Sequence, residues 1–246
     1  MEDQKHLLRH LTEFDAVLGE YKPDASVLEL LNKTKFVVLS GTTASGRNSL
    51  INILLKSDKY HFIVSDTTRD PRENNGILEQ NGREYWFKSE EELLDGLLAG
   101  QYLEAAVIHR QQVSGMHVDE IIKAQQAGQT ALHEVDIQGA LRFHDFKLSA
   151  LVVFLLPPGL KVWLERLQGR GHMAKSEIRR RLESAEYEIE VALRQEFICF
   201  VVNHEIHDTA AEVDAIVKSG KYDHQIEASA RLHAKQLLAD VQDYLS

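Results

Sequence analysis

A second cysteine, a long apolar run and an excess of basic charge are all missing from this 246-residue chain. With Cys199 as the one cysteine, no internal disulfide can form. Its setting, Phe197-Ile198-Cys199-Phe200, reads as a small buried hydrophobe rather than a reactive thiol. No apolar segment reaches the roughly 18 residues that a membrane helix needs. A formal net charge of −10 argues against a protein that lives on nucleic acid, which needs a basic face, although a local basic pocket for a phosphate stays open. The start, Met1-Glu2-Asp3-Gln4-Lys5, is unlike a signal peptide. A reducing, cytoplasmic setting is the expectation.

The length fits one domain with elaborations, or a domain plus a small lobe. Leu7, Leu8, Leu11, Phe14, Val17 and Leu18 form one helical stripe, Pro23 breaks it, and Val27 to Leu31 reads as a second short helix. We read residues 1–33 as an N-terminal helical extension, packed on the core or on a partner. Strands are expected at 35–40, 61–65, 83–87, 105–109, 130–136, 150–156 and 198–202. Helices are expected at 47–57, 89–98, 117–127, 138–142, 159–168, 174–194 and 209–219. Such alternation predicts an α/β fold with a mostly parallel sheet and flanking helices. Residues 225–245 read as a last helix with Ile226, Leu237, Val241 and Leu245 on its buried side.

Between the first strand and the helix after it lies Gly41-Thr42-Thr43-Ala44-Ser45-Gly46-Arg47-Asn48-Ser49. The spacing matches G-x-x-x-x-G-K-[ST], a loop whose backbone N–H groups and helix N-terminus cradle phosphate oxygens. Arg47 stands in place of the lysine and Asn48 in place of the hydroxyl residue. A second constellation, Ser65-Asp66-Thr67-Thr68-Arg69-Asp70-Pro71-Arg72, puts two forked guanidinium groups around one turn, which suits a substrate phosphate. Taken alone, two arginines near a proline are more often solvated surface. His109, His117 and His133 lack zinc-site spacing, and Glu90-Glu91-Glu92 reads as the acidic first turn of a helix after Ser89.

From about residue 35 to about 219, an ordered set of motifs resembles the guanylate kinase family. The set comprises the Ser65–Arg72 segment, Glu79-Gln80-Asn81-Gly82-Arg83-Glu84-Tyr85, Tyr102-Leu103-Glu104 and Glu134-Val135-Asp136-Ile137-Gln138-Gly139-Ala140. It continues with Leu156-Pro157-Pro158, Arg166-Leu167-Gln168-Gly169-Arg170-Gly171 and Val201-Val202-Asn203. The resemblance implies a P-loop nucleoside-monophosphate-kinase fold spanning 34–220, with an acceptor-binding lobe at about 66–115, a lid at about 169–182, and a C-terminal helix at 221–246. It implies transfer of the ATP γ-phosphate to GMP or dGMP with Mg²⁺.

The resemblance also implies roles. Gly41 through Ser49 would bind ATP; Arg47, Arg166, Arg170 and Arg181 would be catalytic, the last three carried by the lid. Ser65, Arg69, Arg72, Glu79, Tyr85, Glu104 and Glu134 would bind GMP. Asp136 would hold Mg²⁺ through water, with Asn48 or Ser49 as further ligands. No nucleic-acid or membrane partner is expected. Val113 takes a position where the family has a phosphate-binding tyrosine. Two other readings are open: a degenerate nucleotide- or protein-binding module without kinase activity, and a kinase for another phosphorylated acceptor.

Overall fold

The computed structural model describes residues 7–74, 76–147, 149–169 and 173–246. The chain divides into two compact units, Met1–Lys35 with His61–Ala131, and Phe36–Tyr60 with Leu132–Ser246.

The second unit is organised by a five-stranded sheet. In chain order its strands are β1 (Phe36–Gly41), β2 (Tyr60–Phe62), β9 (Thr130–Glu134), β10 (Leu151–Leu156) and β11 (Ile198–Val202), arranged β11-β10-β1-β9-β2, with the boundary between the units falling within β2 and β9. β1 pairs in parallel with β10, and β10 with β11. Every residue of β1 is buried, as is all of β10 but its first, so both faces of the sheet are covered. Helices α3 (Arg47–Leu54), α6 (Ile137–Phe146), α7 (Leu160–Gln168), α8 (Lys175–Leu193), α9 (Ile206–Ser219) and α10 (His224–Leu245) complete the unit.

On α8, Ile178, Leu182, Ala185, Ile189 and Ala192 recur at three- and four-residue steps, giving a buried stripe. α10 packs against α8 and β11. Its buried side runs Ala230, Ala234, Leu237, Val241 and Leu245. Ile226 departs from expectation: it is 50% exposed, because it lies in the first turn capped by Asp223, ahead of the packed stretch.

The first unit holds α1 (Leu11–Glu20), α2 (Ala25–Lys33), β3 (Asp66–Thr67), the small hairpin β4 (Glu73–Asn74) and β5 (Ile77–Leu78), β6 (Trp86–Phe87), α4 (Glu90–Leu98), β7 (Tyr102–Ile108), β8 (Gln112–His117) and α5 (Val118–Gln126). Its sheet runs β6-β3-β8-β7. The expected strand 83–87 shrinks to Trp86–Phe87, because Gly82 N–H closes a turn onto the Tyr85 carbonyl (2.8 Å). β8 was not among the expected strands. It fits because its glycine is small: a Cβ on Gly115 would lie 2.8 Å from Ala105 Cβ.

The N-terminal helices are built into this unit. Leu8 and Phe14 join Leu93, Leu97, Tyr102 and Val113 in one buried cluster, with Leu11, Val17, Leu18 and Tyr21 against it. Leu7, expected on that stripe, is 56% exposed. Ser89 and Glu92 form a reciprocal capping box at the start of α4, so the acidic run there is helix-start chemistry. Cys199 is half-buried, and burial pushes its thiol up to about 11, which keeps it protonated and inert.

Candidate active site

The loop between β1 and α3 depends on two glycines. Gly46 has φ 106°, and a Cβ there would lie 2.2 Å from Asn203 Nδ2. Gly41 has φ 144°, and its Cβ would lie 2.4 Å from the Leu155 carbonyl. Ala44 also adopts a positive φ, 59°, a conformation unfavourable for a residue with a Cβ.

Surrounding side chains hold that backbone by its carbonyls. The buried Trp163 donates its indole N–H to Thr43 O (2.7 Å), and Asn203 donates its amide to Ser45 O (2.7 Å). Arg166 donates to Ser45 O (3.4 Å) and Asn203 O (3.1 Å). Within the loop Ser45 N–H donates to Thr42 O (3.2 Å), and with the Thr43 and Ser45 carbonyls engaged from behind, the N-terminus of α3 is the end that suits an anion. The Ser40, Thr42 and Ser45 hydroxyls are buried without a protein partner, a cost of the kind that collects at functional sites.

Three arginines in a row on α8 differ in their partners. Arg180 and Arg181 both pair with Glu177 (2.8 Å each), Arg181 alone also donates to Thr43 Oγ1 (3.1 Å), and Arg179 bonds the Leu245 carbonyl at the end of α10. Arg166 sits on α7, its guanidinium engaged on two carbonyls. Arg170 lies outside the described residues.

Arg47, the loop's basic residue, pairs with Glu134 (Nε to Oε1, 3.3 Å) and donates to Val135 O (3.3 Å). Glu134, expected at the acceptor, is the carboxylate that meets Arg47. Asp136 caps α6, its Oδ1 accepting from Gly139 N–H (2.6 Å), and Asn48 and Ser49 are exposed in the first turn of α3. These hard oxygen donors fit Mg²⁺, which keeps most of its water and takes few protein ligands.

In the first unit, Glu79 grips Arg69 with both carboxylate oxygens (3.0 Å for Nη2 to Oε1) and also accepts the Arg72 N–H (2.9 Å). The Arg69 guanidinium stacks 4.8 Å from the Tyr85 ring centroid and 5.7 Å from that of Phe87. Arg69's hydrogen bond holds the Glu79 carboxyl down at about 2, so the pair is charged across the working pH range. Arg72 itself is exposed. Ser65 is half-buried and its carbonyl accepts from Trp86 N–H (2.9 Å). Glu104, half-buried, lies on β7. Val113 turns its side chain into the hydrophobic cluster, so this position adds nothing polar.

Sequence reasoning passed over Trp163 and gave no role to Asn203. It also missed Glu188, whose carboxyl burial pushes up to about 7, with Arg47 opposing and Asp136 reinforcing the shift. The seven-residue step from Arg181 to Glu188, two helical turns on one face, was the available signal.

A model described as guanylate kinase matches residues 33–220. The guanylate kinase of Corynebacterium diphtheriae is 36% identical over 185 residues, covering 74% of this chain and 94% of that one. That of Clostridium tetani is 30% identical over 191 residues, covering 78% and 88%. In fold, the crystal structure of guanylate kinase from Anaplasma phagocytophilum aligns with a TM-score of 0.55 at 24% identity, over 82% of this chain and 94% of that one. Among the described residues no helix is long and apolar enough to cross a membrane. The chain belongs to the guanylate kinase family.

Proposed function

We propose that the protein transfers the γ-phosphoryl group of ATP to GMP, giving ADP and GDP. The observation that carries this reading is the Arg69–Glu79 pair beside Tyr85. A guanidinium already oriented by a carboxylate and an aromatic face is a prepared grip for an acceptor phosphate, and it accompanies, in the same chain, a phosphate-loop motif whose glycine spacing is kept.

Each residue's part follows from its chemistry. Gly41 to Ser49 receive the ATP phosphates on main-chain amides, and Arg47 adds positive charge. Arg69, Arg72 and Tyr85 hold the GMP phosphate, with Glu79 orienting Arg69. Glu104 accepts from the N1 and N2 hydrogens of guanine, for which a carboxylate is the natural partner, and Ser65 adds a contact to the base. Glu134 acts through Arg47. Arg181, with Arg166 and Arg170, offsets charge developing on the transferred group, since phosphoryl transfer asks for positioning and electrostatics rather than covalent chemistry. Asp136, with Asn48 or Ser49, would hold Mg²⁺, which supplies charge neutralisation at the phosphates.

The test is ADP release from purified protein with ATP, Mg²⁺ and each nucleoside monophosphate in turn. Turnover with GMP or dGMP well above that with AMP, CMP or UMP supports the reading. Equal turnover with all of them, or none with GMP, overturns it.

A further inference from the structure

The hydroxyl of Tyr21, the residue that closes α1, donates to the carbonyl of Tyr102 (2.6 Å) and accepts the N–H of the same residue (3.3 Å). β7 is the edge strand of its sheet, so one side chain from the N-terminal segment satisfies both main-chain groups of one edge residue. At this point the ladder slips. Tyr102 faces His117 while Glu104 faces Met116, so two steps along β7 match one step along β8. Such a bulge leaves a residue unpaired and re-aims the side chains beside it. Leu103, the extra residue, is fully buried, and Glu104 is the next side chain along.

Tyr102 is held from its other end as well. Its hydroxyl donates to Asp66 Oδ2 (2.6 Å), and both groups are buried. Asp66 follows Ser65 directly and lies three residues before Arg69. The helix that brings Tyr21 is itself anchored. Leu8 N–H donates to Arg110 O (3.0 Å), His10 N–H donates to Glu90 Oε2 (2.9 Å), and Phe14 is completely buried. Residues 7–21 lie outside the segment that the family model covers.

We propose that the N-terminal helix is a working part of the acceptor site, with Tyr21 as a positioning residue that fixes the β7 bulge and so aims Glu104 at the guanine edge. This rests on the reading of Glu104 as the base acceptor. Tyr21 does not touch substrate; it acts through the backbone of Tyr102.

The experiment compares Tyr21→Phe with wild type in the full chain, by steady-state kinetics and by calorimetric titration with GMP. Deleting one hydroxyl that serves two main-chain groups should raise KM and Kd for GMP by roughly fivefold, leaving kcat and the KM for ATP within about twofold. Phe14→Leu loosens the same cluster without touching these hydrogen bonds. It should lower the melting temperature while keeping GMP affinity at 25 °C within about twofold of wild type. Unchanged GMP affinity in Tyr21→Phe, or equal losses for GMP and ATP, overturns the proposal and leaves the kinase reading standing. A wild-type protein that neither binds nor phosphorylates GMP overturns that reading first, and this proposal with it.

Discussion

Arg47 Nε lies 3.3 Å from the Glu134 carboxylate, joining the basic residue of the phosphate loop to the last residue of β9. Both side chains are about three-quarters buried, at 22% and 25% exposed, so the pair is better shielded from solvent than most surface ion pairs. Two residues that the sequence resemblance assigns to different ligands, Arg47 to ATP and Glu134 to GMP, share one contact. Arginine's planar fork can meet two anionic partners at once; one here is Glu134, and the proposed function makes a nucleotide phosphate the other.

A double-mutant cycle on ATP binding tests this coupling. Arg47→Ala should weaken ATP·Mg²⁺ binding by roughly 10- to 100-fold and Glu134→Gln by a few-fold. With Arg47 already removed, losing Glu134 should cost little more, giving an interaction energy of about 1 kcal/mol. Strictly additive losses in calorimetric titrations would mean that Glu134 acts independently of Arg47.

The acceptor grip predicts a different signature. Arg69→Lys keeps the charge but loses the fork that meets both Glu79 oxygens and the face over Tyr85. The KM for GMP should rise by about tenfold or more, with the KM for ATP nearly unchanged. Glu79→Gln should move the GMP constant the same way by a smaller factor, because the arginine stays but its orientation loosens. Loss of ATP binding in either variant would count against a dedicated acceptor role.

Acid sensitivity has an identifiable source in His133. The ring is completely buried on β9, its Nδ1 has no protein partner, and burial pushes its pKa down to about 4 from an ordinary 6.5. Between those values the unfolded chain holds a proton that the folded chain does not, so stability falls as pH drops from 6.5 toward 4 and is regained as pH rises. The contribution is on the order of 3 kcal/mol across the window. His133→Leu should flatten the dependence of melting temperature on pH in that range. A variant with the wild-type slope would move the cause elsewhere.

Much of this architecture is legible in the sequence, and the limits have physical reasons. The phosphate loop is visible because only glycine fits where Gly41 and Gly46 meet Leu155 and Asn203. Continuous apolar runs announce β1 and β10 for the same reason that they are buried on both faces. β8 stayed hidden because Gln112-Val113-Ser114-Gly115-Met116 has weak strand propensity, and its fitness is tertiary, set by Ala105 across the ladder. Side-chain partners are the least legible layer. Motif order groups Glu134 with the acceptor residues and gives no sign of its pairing with Arg47. Nothing local distinguishes Arg181 from Arg179 and Arg180; helical phase and the helices around α8 separate them. The attachment of α1 to the sheet of the first unit likewise follows from Tyr21 meeting an edge strand far along the chain.

The most direct test of the whole account follows the label from [γ-³²P]ATP in the presence of Mg²⁺ and GMP, for wild type and Arg69→Ala. The account predicts label in GDP for wild type and a fall of roughly 100-fold in the variant at subsaturating GMP. GMP binding without any label transfer in the wild-type protein would contradict it, and would make the fold a nucleotide-binding module.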